Sequence, residues 1–308
     1  MAGLAGARVA VTGATGFIGR YLCWSLHASG AAVVAVVRRP ERAADLAAAG
    51  IEVARADIMN PGALERAFAG ADYIVANAAL VSIGGASKAE LVTTNVTGTE
   101  NQLDAAAAAG VRRAVFVSSA VAYAPRRDHF YREDDRLLDE AGGHRLSYYA
   151  ISKAAAERAA WRRARTHGIT LSTVRPHTVF GAFDRGTFSV WLKRFMSTPG
   201  LGVFPVGVHL PAVFAGDLAD AVGQMLVRDA SRDRAYNLCH PPGAVSYWDL
   251  MQAYRRAGGR APRVVLPFPV PIRRRYDTTR AQVDLDFRPR PLDVGFRDMV
   301  ERERARTH

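Results

Sequence analysis

Thr12-Gly13-Ala14-Thr15-Gly16-Phe17-Ile18-Gly19 is the stretch on which the reading of this chain turns. It follows a short apolar run, Val9-Ala10-Val11, and opens a segment from Phe17 to Ser29 whose apolar residues recur at helical spacing. Strand, tight turn and helix start in that order form the setting a phosphate-binding glycine loop needs. Glycine reaches backbone angles closed to other residues and lets the main chain approach a pyrophosphate without a Cβ in the way. The helix start adds free N–H groups and the positive end of its dipole. The spacing is G-x-x-G-x-x-G rather than G-x-G-x-x-G, and alone it fits a plain tight turn equally well.

Outward from the turn, short apolar runs alternate with helical patterns. Strands are expected at 7–12, 31–37, 51–53, 73–76, 114–117 and 170–174, with helices at 17–29, 41–49, 61–69, 88–109 and 149–166. The valine-rich run from Ala31 to Val37 suits a strand buried on both faces. Such regular alternation predicts an α/β fold, a doubly wound Rossmann-type parallel sheet with helices on both faces. After Gly181 prolines and glycines interrupt the pattern; helices near 217–228 and 246–257, a strand at 235–238 and a last helix from about Asp293 remain. Residues 1–180 are therefore read as the dinucleotide-binding domain. Residues 181–308 are read mainly as a smaller substrate lobe, with some segments returning to the sheet. Residues 124–147 read as a loop.

Composition narrows the class. No apolar run reaches the roughly 18 residues of a membrane span, and the start of the chain lacks a signal-peptide core, so a cytoplasmic protein is expected. Cys23 and Cys239 lie far apart, outside any C-x-x-C pair, so no metal site is expected from them. The net charge of +12 is spread as arginine, without the aromatic interleaving of a nucleic-acid surface. No nucleic-acid partner is expected.

Two further stretches carry chemistry. In Tyr149-Ala150-Ile151-Ser152-Lys153, residues four apart share a helix face, so phenol and ammonium can enter one site. A neighbouring cation favours the phenolate and lowers its pKa toward the working range. Tyr148, five residues before Lys153, points elsewhere. An ordinary surface pair is the plain alternative. Ser119 ends the fifth strand, where ligands bind in a wound sheet; it could orient a substrate oxygen, or merely cap a turn.

Taken together, the chain resembles the extended short-chain dehydrogenase/reductase superfamily, in its epimerase/dehydratase-like branch. The resemblance rests on Thr12 to Gly19, Asp57-Ile58, Asn95-Val96-x-Gly98-Thr99-x-Asn101, Ser118-Ser119-Ala120-Val121-Ala122-Tyr123, Tyr149-x-x-x-Lys153 and Arg175-Pro176-x-x-Val179-Phe180-Gly181. Asp217-Leu218-Ala219-Asp220-Ala221 and Phe287 to Leu292 resemble the same branch. It implies that Ser119, Tyr149 and Lys153 are catalytic. Tyr149 would exchange a proton with the substrate oxygen, Ser119 would polarise that oxygen, and Lys153 would hold the nicotinamide ribose and depress the pKa of Tyr149. Asn95 would serve nearby as a structural or proton-relay residue. Thr12, Gly13, Thr15, Gly16, Phe17, Ile18, Gly19, Ala78 and Ala79 would bind the cofactor, Asp57 and Ile58 would meet the adenine, and Pro176 and Val179 would border the nicotinamide. A homodimer follows by the same resemblance.

An acid at the end of the second strand favours NAD(H). Here Val37 leads into Arg38 and Arg39, whose guanidinium forks suit a 2′-phosphate. NADP(H) is the expected cofactor, with NAD(H) possible should Glu41 or another group take the ribose. The arginine that many nucleotide-sugar enzymes place before the Asp217 helix is absent; Leu210-Pro211-Ala212-Val213-Phe214 stands there, with His209 the nearest cationic group. Arg273 to Arg275 could supply charge instead. Phe183, Phe188, Trp191, Phe195, Phe204 and Phe214 are candidates for an apolar substrate pocket, or simply lobe packing. The leading expectation is a reductase of ketones or aldehydes acting on a largely apolar small molecule, nearest the 3β-hydroxysteroid dehydrogenase and dihydroflavonol reductase groups. A nucleotide-sugar epimerase, reductase or dehydratase comes second, and a non-catalytic NADP-binding regulator third.

Overall fold

The computed structural model describes the chain except for residues 1, 82–85, 140–147, 185–200, 207–208, 260–263, 270–274 and 306–308; residues 2, 201–206 and 264–269 are described by backbone alone. In chain order the strands are β1 (Arg8–Thr12), β2 (Ala32–Val37), β3 (Glu52–Arg55), β4 (Tyr73–Ala76), β5 (Arg113–Val117), β6 (Phe130–Tyr131) and β7 (Thr170–Pro176). They continue as β8 (Thr178–Phe180), β9 (Leu201–Val206), β10 (Ala212–Phe214), β11 (Ala235–Leu238), β12 (Val264–Pro269) and β13 (Arg275–Tyr276). The helices are α1 (Phe17–Ala28), α2 (Ala44–Ala48), α3 (Pro61–Phe68), α4 (Lys88–Ala108) and α5 (Tyr148–His167). Beyond them lie α6 (Ala215–Val227), α7 (Tyr247–Arg256), α8 (Thr279–Leu285) and α9 (Leu292–Arg304).

One seven-stranded sheet runs β11-β7-β5-β4-β1-β2-β3, every neighbouring pair parallel. The strand side chains alternate between two cores. Val9, Val11, Val33, Ala35, Val115 and Val117 meet Leu22 and Leu26 of α1, Leu46 of α2 and Leu218 and Val222 of α6. Ala10, Val34, Val36, Ala114 and Phe116 face Leu64 and Phe68 of α3, Leu103 of α4 and Ala156, Ala160 and Ala164 of α5. Burial on both faces is why the strands read as continuous apolar runs. All the strands point one way, so Thr12, Val37, Ala76, Val117 and Pro176 finish along one edge of the sheet.

Local signals set the helix starts. Asn60 accepts from Ala63 N ahead of Pro61, and Ser87 with Glu90 forms a capping box at the head of α4. Three features differ from the sequence reading. The expected helix at 41–49 is a 3-10 turn at Pro40–Arg42 followed by the shorter α2. The loop at 124–147 contains β6, which pairs with β13 far along the chain. Two further strand pairs, β8 with β10 and β9 with β12, lie beyond Thr178. Four of these strands have three residues or fewer, and all find their partners at long range, so no local periodicity announces them.

Candidate active site

Gly13 sits at φ +63°, and a Cβ there would stand 2.9 Å from Ala78 Cα. Only glycine accepts that angle without strain. Gly16 closes the turn by donating its N–H to Gly13 O at 2.9 Å and caps α1 with no side chain over the first-turn N–H groups. Gly19 serves differently. A Cβ on it would lie 2.2 Å from Gly13 O and 2.8 Å from Ala14 Cα, so its bareness lets α1 rise hard against the turn. The open helix start and the bare glycines at both ends of the turn fit a pyrophosphate.

A brace from α4 fixes the floor beside the turn. Thr12 Oγ1 donates to Gln102 Oε1 at 2.6 Å and accepts from the N–H groups of Asn77 and Ala78, both at 3.0 Å. Asn101 Nδ2 donates to Ile58 O at 2.9 Å, and a Cβ on Gly98 would come within 2.5 Å of Ile58 Cδ1. Asn95, 2% exposed, accepts from Leu80 N at 2.7 Å and donates to Leu80 O at 3.0 Å and Ser152 Oγ at 2.9 Å. It stands behind the cleft wall and pins Leu80 and α5, a structural place and not a lining one.

The carboxyl edge of the sheet opens into a cleft of about 1480 Å³. That exceeds the 300–1,000 Å³ usual for one small ligand, leaving room for a dinucleotide beside a substrate. Its wall includes Thr12, Gly13, Thr15, Gly16, Phe17 and Ile18 at the turn, Arg38 and Arg39 after β2, and Asp57 and Ile58 after β3. Ala78, Ala79, Ser119, Tyr149, Lys153, Pro176 and Val179 complete it among the expected residues; Gly19 and Asn95 stand behind. Tyr148 is 52% exposed on the outside of α5.

The charges around Tyr149 differ from the expectation. Burial pushes its phenol up to about 12, and Lys153 does not pull it down. The reason is where the ammonium goes. Lys153 Nζ donates to Val117 O at 2.7 Å and lies 4.7 Å from the centre of the Phe116 ring. Burial holds Lys153 down to about 8, with Glu157 acting in the opposite sense. Ser119 turns its Oγ toward Val121 N at 3.4 Å, a long contact that leaves the hydroxyl weakly held.

Several groups escape a reading of the sequence. Arg20 Nε donates to Asp45 Oδ2 at 2.7 Å and its Nη2 to Arg42 O at 2.8 Å; Nη1 bonds Thr15 O, and the guanidinium lies 5.2 Å from the Phe183 ring centre. Arg20 thus ties the glycine turn to the loop after β2. It follows the third glycine directly, which is the one local hint. Arg302 of α9 reaches the cleft from nearly three hundred residues away and packs over Trp24 at 4.5 Å; no local signal exists. His177, beside Pro176, also lines the wall.

Of the aromatic candidates, Phe183 lines the cleft. Phe214 does not. It packs 5.5 Å from Tyr21 and 5.7 Å from Phe180 in the core, because α6 begins at the next residue and turns the ring inward. Phe188, Trp191 and Phe195 lie outside the described residues, as do Arg273, Arg274 and the side chain of Phe204. Arg275 is exposed and donates to Asp128 O at 3.4 Å. Asp217 accepts from Arg290 N at 3.0 Å and pairs with its guanidinium, which also meets Asp220 at 2.8 Å, so this acid locks the C-terminal segment in place. Among the described residues no group of three or more His, Cys, Asp or Glu could hold a metal ion.

Comparison with known proteins agrees with this layout. The family model for the NAD dependent epimerase/dehydratase family matches residues 9–239. The chain is 32% identical over 192 residues to cinnamoyl-CoA reductase 1 of Petunia hybrida, covering 59% of this chain and 57% of that one. It is 34% identical over 219 residues to 4-hydroxy-2-methyl-3-oxo-4-farnesyl-3,4-dihydroquinoline-1-oxide ketoreductase of Stigmatella aurantiaca, covering 70% and 64%. In both cases the match spans less than two thirds of the relative. The solved structure of MoeE5 in complex with UDP-glucose and NAD superposes with a TM-score of 0.77 at 26% identity, over 98% of this chain and 100% of that one. The chain belongs to the NAD dependent epimerase/dehydratase family, in the extended branch of the short-chain dehydrogenases/reductases.

Proposed function

We propose that the protein is an NADP(H)-dependent reductase of a ketone or aldehyde on a largely apolar small molecule, with Tyr149 as the acid. The observation that carries this reading is that Ser119, Tyr149 and Lys153 line the same cleft as the glycine turn. A bound nicotinamide dinucleotide supplies the hydride that reduces the carbonyl carbon. Tyr149 gives its proton to the carbonyl oxygen, and Ser119 donates a hydrogen bond that orients that oxygen. Lys153 holds the nicotinamide ribose beside Tyr149, and a solvent proton replaces the one transferred. Burial keeps the phenol in its proton-bearing form well above neutral pH, the form from which reduction starts. Leu80, Val81, Val121 and Val179 give the cleft apolar wall and support an apolar substrate. The cinnamoyl-CoA reductase and quinoline-oxide ketoreductase relatives support carbonyl reduction. The experiment is a panel of steroid, flavonoid, aliphatic and polyketide-like carbonyls followed by NADPH absorbance. Absence of any carbonyl-dependent oxidation across the panel would end the reading.

The preference for NADP(H) over NAD(H) rests on Arg38 and Arg39. Both are exposed on the cleft wall, and neither has an ion-pair partner among the described residues. Of the acids nearby, Asp45 is engaged by Arg20, while Glu41 lines the same cleft wall and is the group that would serve NAD(H). Arg38→Asp is expected to weaken NADPH binding by about 100-fold while changing NADH binding less than about three-fold, since it exchanges a charge-assisted fork for a like charge. Fluorescence titration of both nucleotides reads the ratio; equal losses would remove the preference.

A nucleotide-sugar substrate is the second reading, favoured by the MoeE5 likeness over almost the whole chain. Titration with UDP separates the two: micromolar binding through the diphosphate supports the sugar. In either case we assign residues 1–180 to the cofactor and most of 181–308 to the substrate. A homodimer built on α4 and α5 and a cytoplasmic location belong to the same proposal. The buried free thiols of Cys23 and Cys239 support that location.

A further inference from the structure

Glu157 lies one helical turn beyond Lys153 and two beyond Tyr149, on the same face of α5, and is fully buried. Ser118 Oγ donates to its Oε2 at 2.6 Å, Thr173 Oγ1 to Oε1 at 3.1 Å, and Trp161 Nε1 to Oε1 at 3.4 Å. Arg175 adds Nη2 to Oε1 at 2.6 Å and Nε to the two oxygens at 3.0 and 3.1 Å. These donors come from the end of β5, from β7 and from α5 itself. Two of them adjoin the chemistry: Ser118 precedes Ser119, and Arg175 precedes Pro176.

A buried ion pair is poor evidence of stability, because an apolar pair of similar size often serves as well or better. What such a pair does supply is direction and charge. Lys153 has Tyr149 and Glu157 one turn away along its own helix, and Val117 O and the Phe116 ring against it from β5. From β7, Arg175 is held by Glu157 at 2.6 Å, so the carboxylate lies against one cation and stands one helical turn from the other. Glu157 is the anion that favours the charged form of Lys153.

We propose that Glu157 is a positioning residue of the reaction: its carboxylate clamps the ends of β5 and β7 to the helix face bearing Tyr149 and Lys153, and sets a negative charge one helical turn from the Lys153 ammonium. The inference rests on the reading that Tyr149 and Lys153 carry the chemistry.

Its test begins without cofactor. Thermal midpoints are measured from pH 6 to 9 for wild type, Lys153→Met, Glu157→Gln and the double variant. Lys153 holds its proton less tightly folded than unfolded, so the unfolded chain binds more protons and wild type gains stability relative to Lys153→Met as pH rises through about 8. In the Glu157→Gln background this rise is expected to start about one pH unit lower, since the anion that favoured the ammonium is gone. Superimposable rises in the two backgrounds would overturn the proposal. With cofactor and substrate, Glu157→Gln is expected to move the alkaline limb of kcat/KM down by about the same unit and to lower kcat by about ten-fold. A profile that only scales, with its limb in place, would also overturn it. Where Glu157→Gln does not fold, Glu157→Asp decides: it keeps the charge but shortens the reach. An unmoved limb with kcat down by about five-fold supports the clamp, and an unchanged kcat refutes it. Wild-type turnover by Lys153→Met would sink the functional reading while leaving the cofactor-free comparison intact.

Discussion

Tyr149→Phe is expected to lower kcat for carbonyl reduction by about a thousand-fold, in the middle of what a positioned general acid contributes. NADPH affinity should stay within about two-fold, since the ring that shapes the wall remains and only the hydroxyl goes. The loss should be the same across the pH range in which the wild-type phenol keeps its proton, because burial holds that proton to about 12. Tyr148→Phe is the control. Its ring is exposed on the outside of α5, and turnover should not change. NADPH absorbance gives the rates, and fluorescence titration gives the affinities. A Tyr149→Phe enzyme retaining more than a tenth of wild-type turnover would remove Tyr149 as the acid.

Gly19→Val attacks the other half of the site. The new side chain would begin 2.2 Å from Gly13 O and 2.8 Å from Ala14 Cα, and both obstacles are backbone. The turn must therefore move, and with it the open N–H groups at the start of α1. Binding of either nicotinamide nucleotide is expected to fall by about 100-fold or more, comparable to losing the charge-assisted contacts of a phosphate. Forcing volume into a packed place costs about 1–3 kcal/mol, read as a fall of several degrees in Tm. Gly110→Ala separates strain from contact. Gly110 has φ +77° with nothing within 4 Å of a Cβ, so it should cost stability and leave nucleotide binding untouched. Wild-type nucleotide affinity in Gly19→Val would show that the turn is not a phosphate seat.

What could be seen in the sequence was whatever depends on near neighbours. The sheet strands show because a strand buried on both faces is a bare apolar run, and 73–76 falls at its observed limits. The glycine turn shows because its constraints are written within eight residues. Tyr149 and Lys153 show because four residues make one helical turn. Glu157 stands at the next step of that periodicity, but a glutamate on a helix reads as solvent-facing, and only Ser118, Thr173 and Arg175 folded around it reveal a buried carboxylate. The upward push on the Tyr149 phenol is not legible locally, since it depends on Lys153 turning to Val117 O and on the packing of the folded chain around the ring. The pairing of β6 with β13 and the arrival of Arg302 in the cleft are products of the whole topology.

The contacts from α4 to Thr12 and Ile58 are made entirely by the protein. Thr12, Gln102, Asn77 and Ala78 satisfy one another, and Asn101 holds the Ile58 carbonyl. The cleft floor beside the glycine turn is therefore braced before anything rests on it. A nucleotide seated there would freeze little main chain, and little affinity would be lost to ordering the seat.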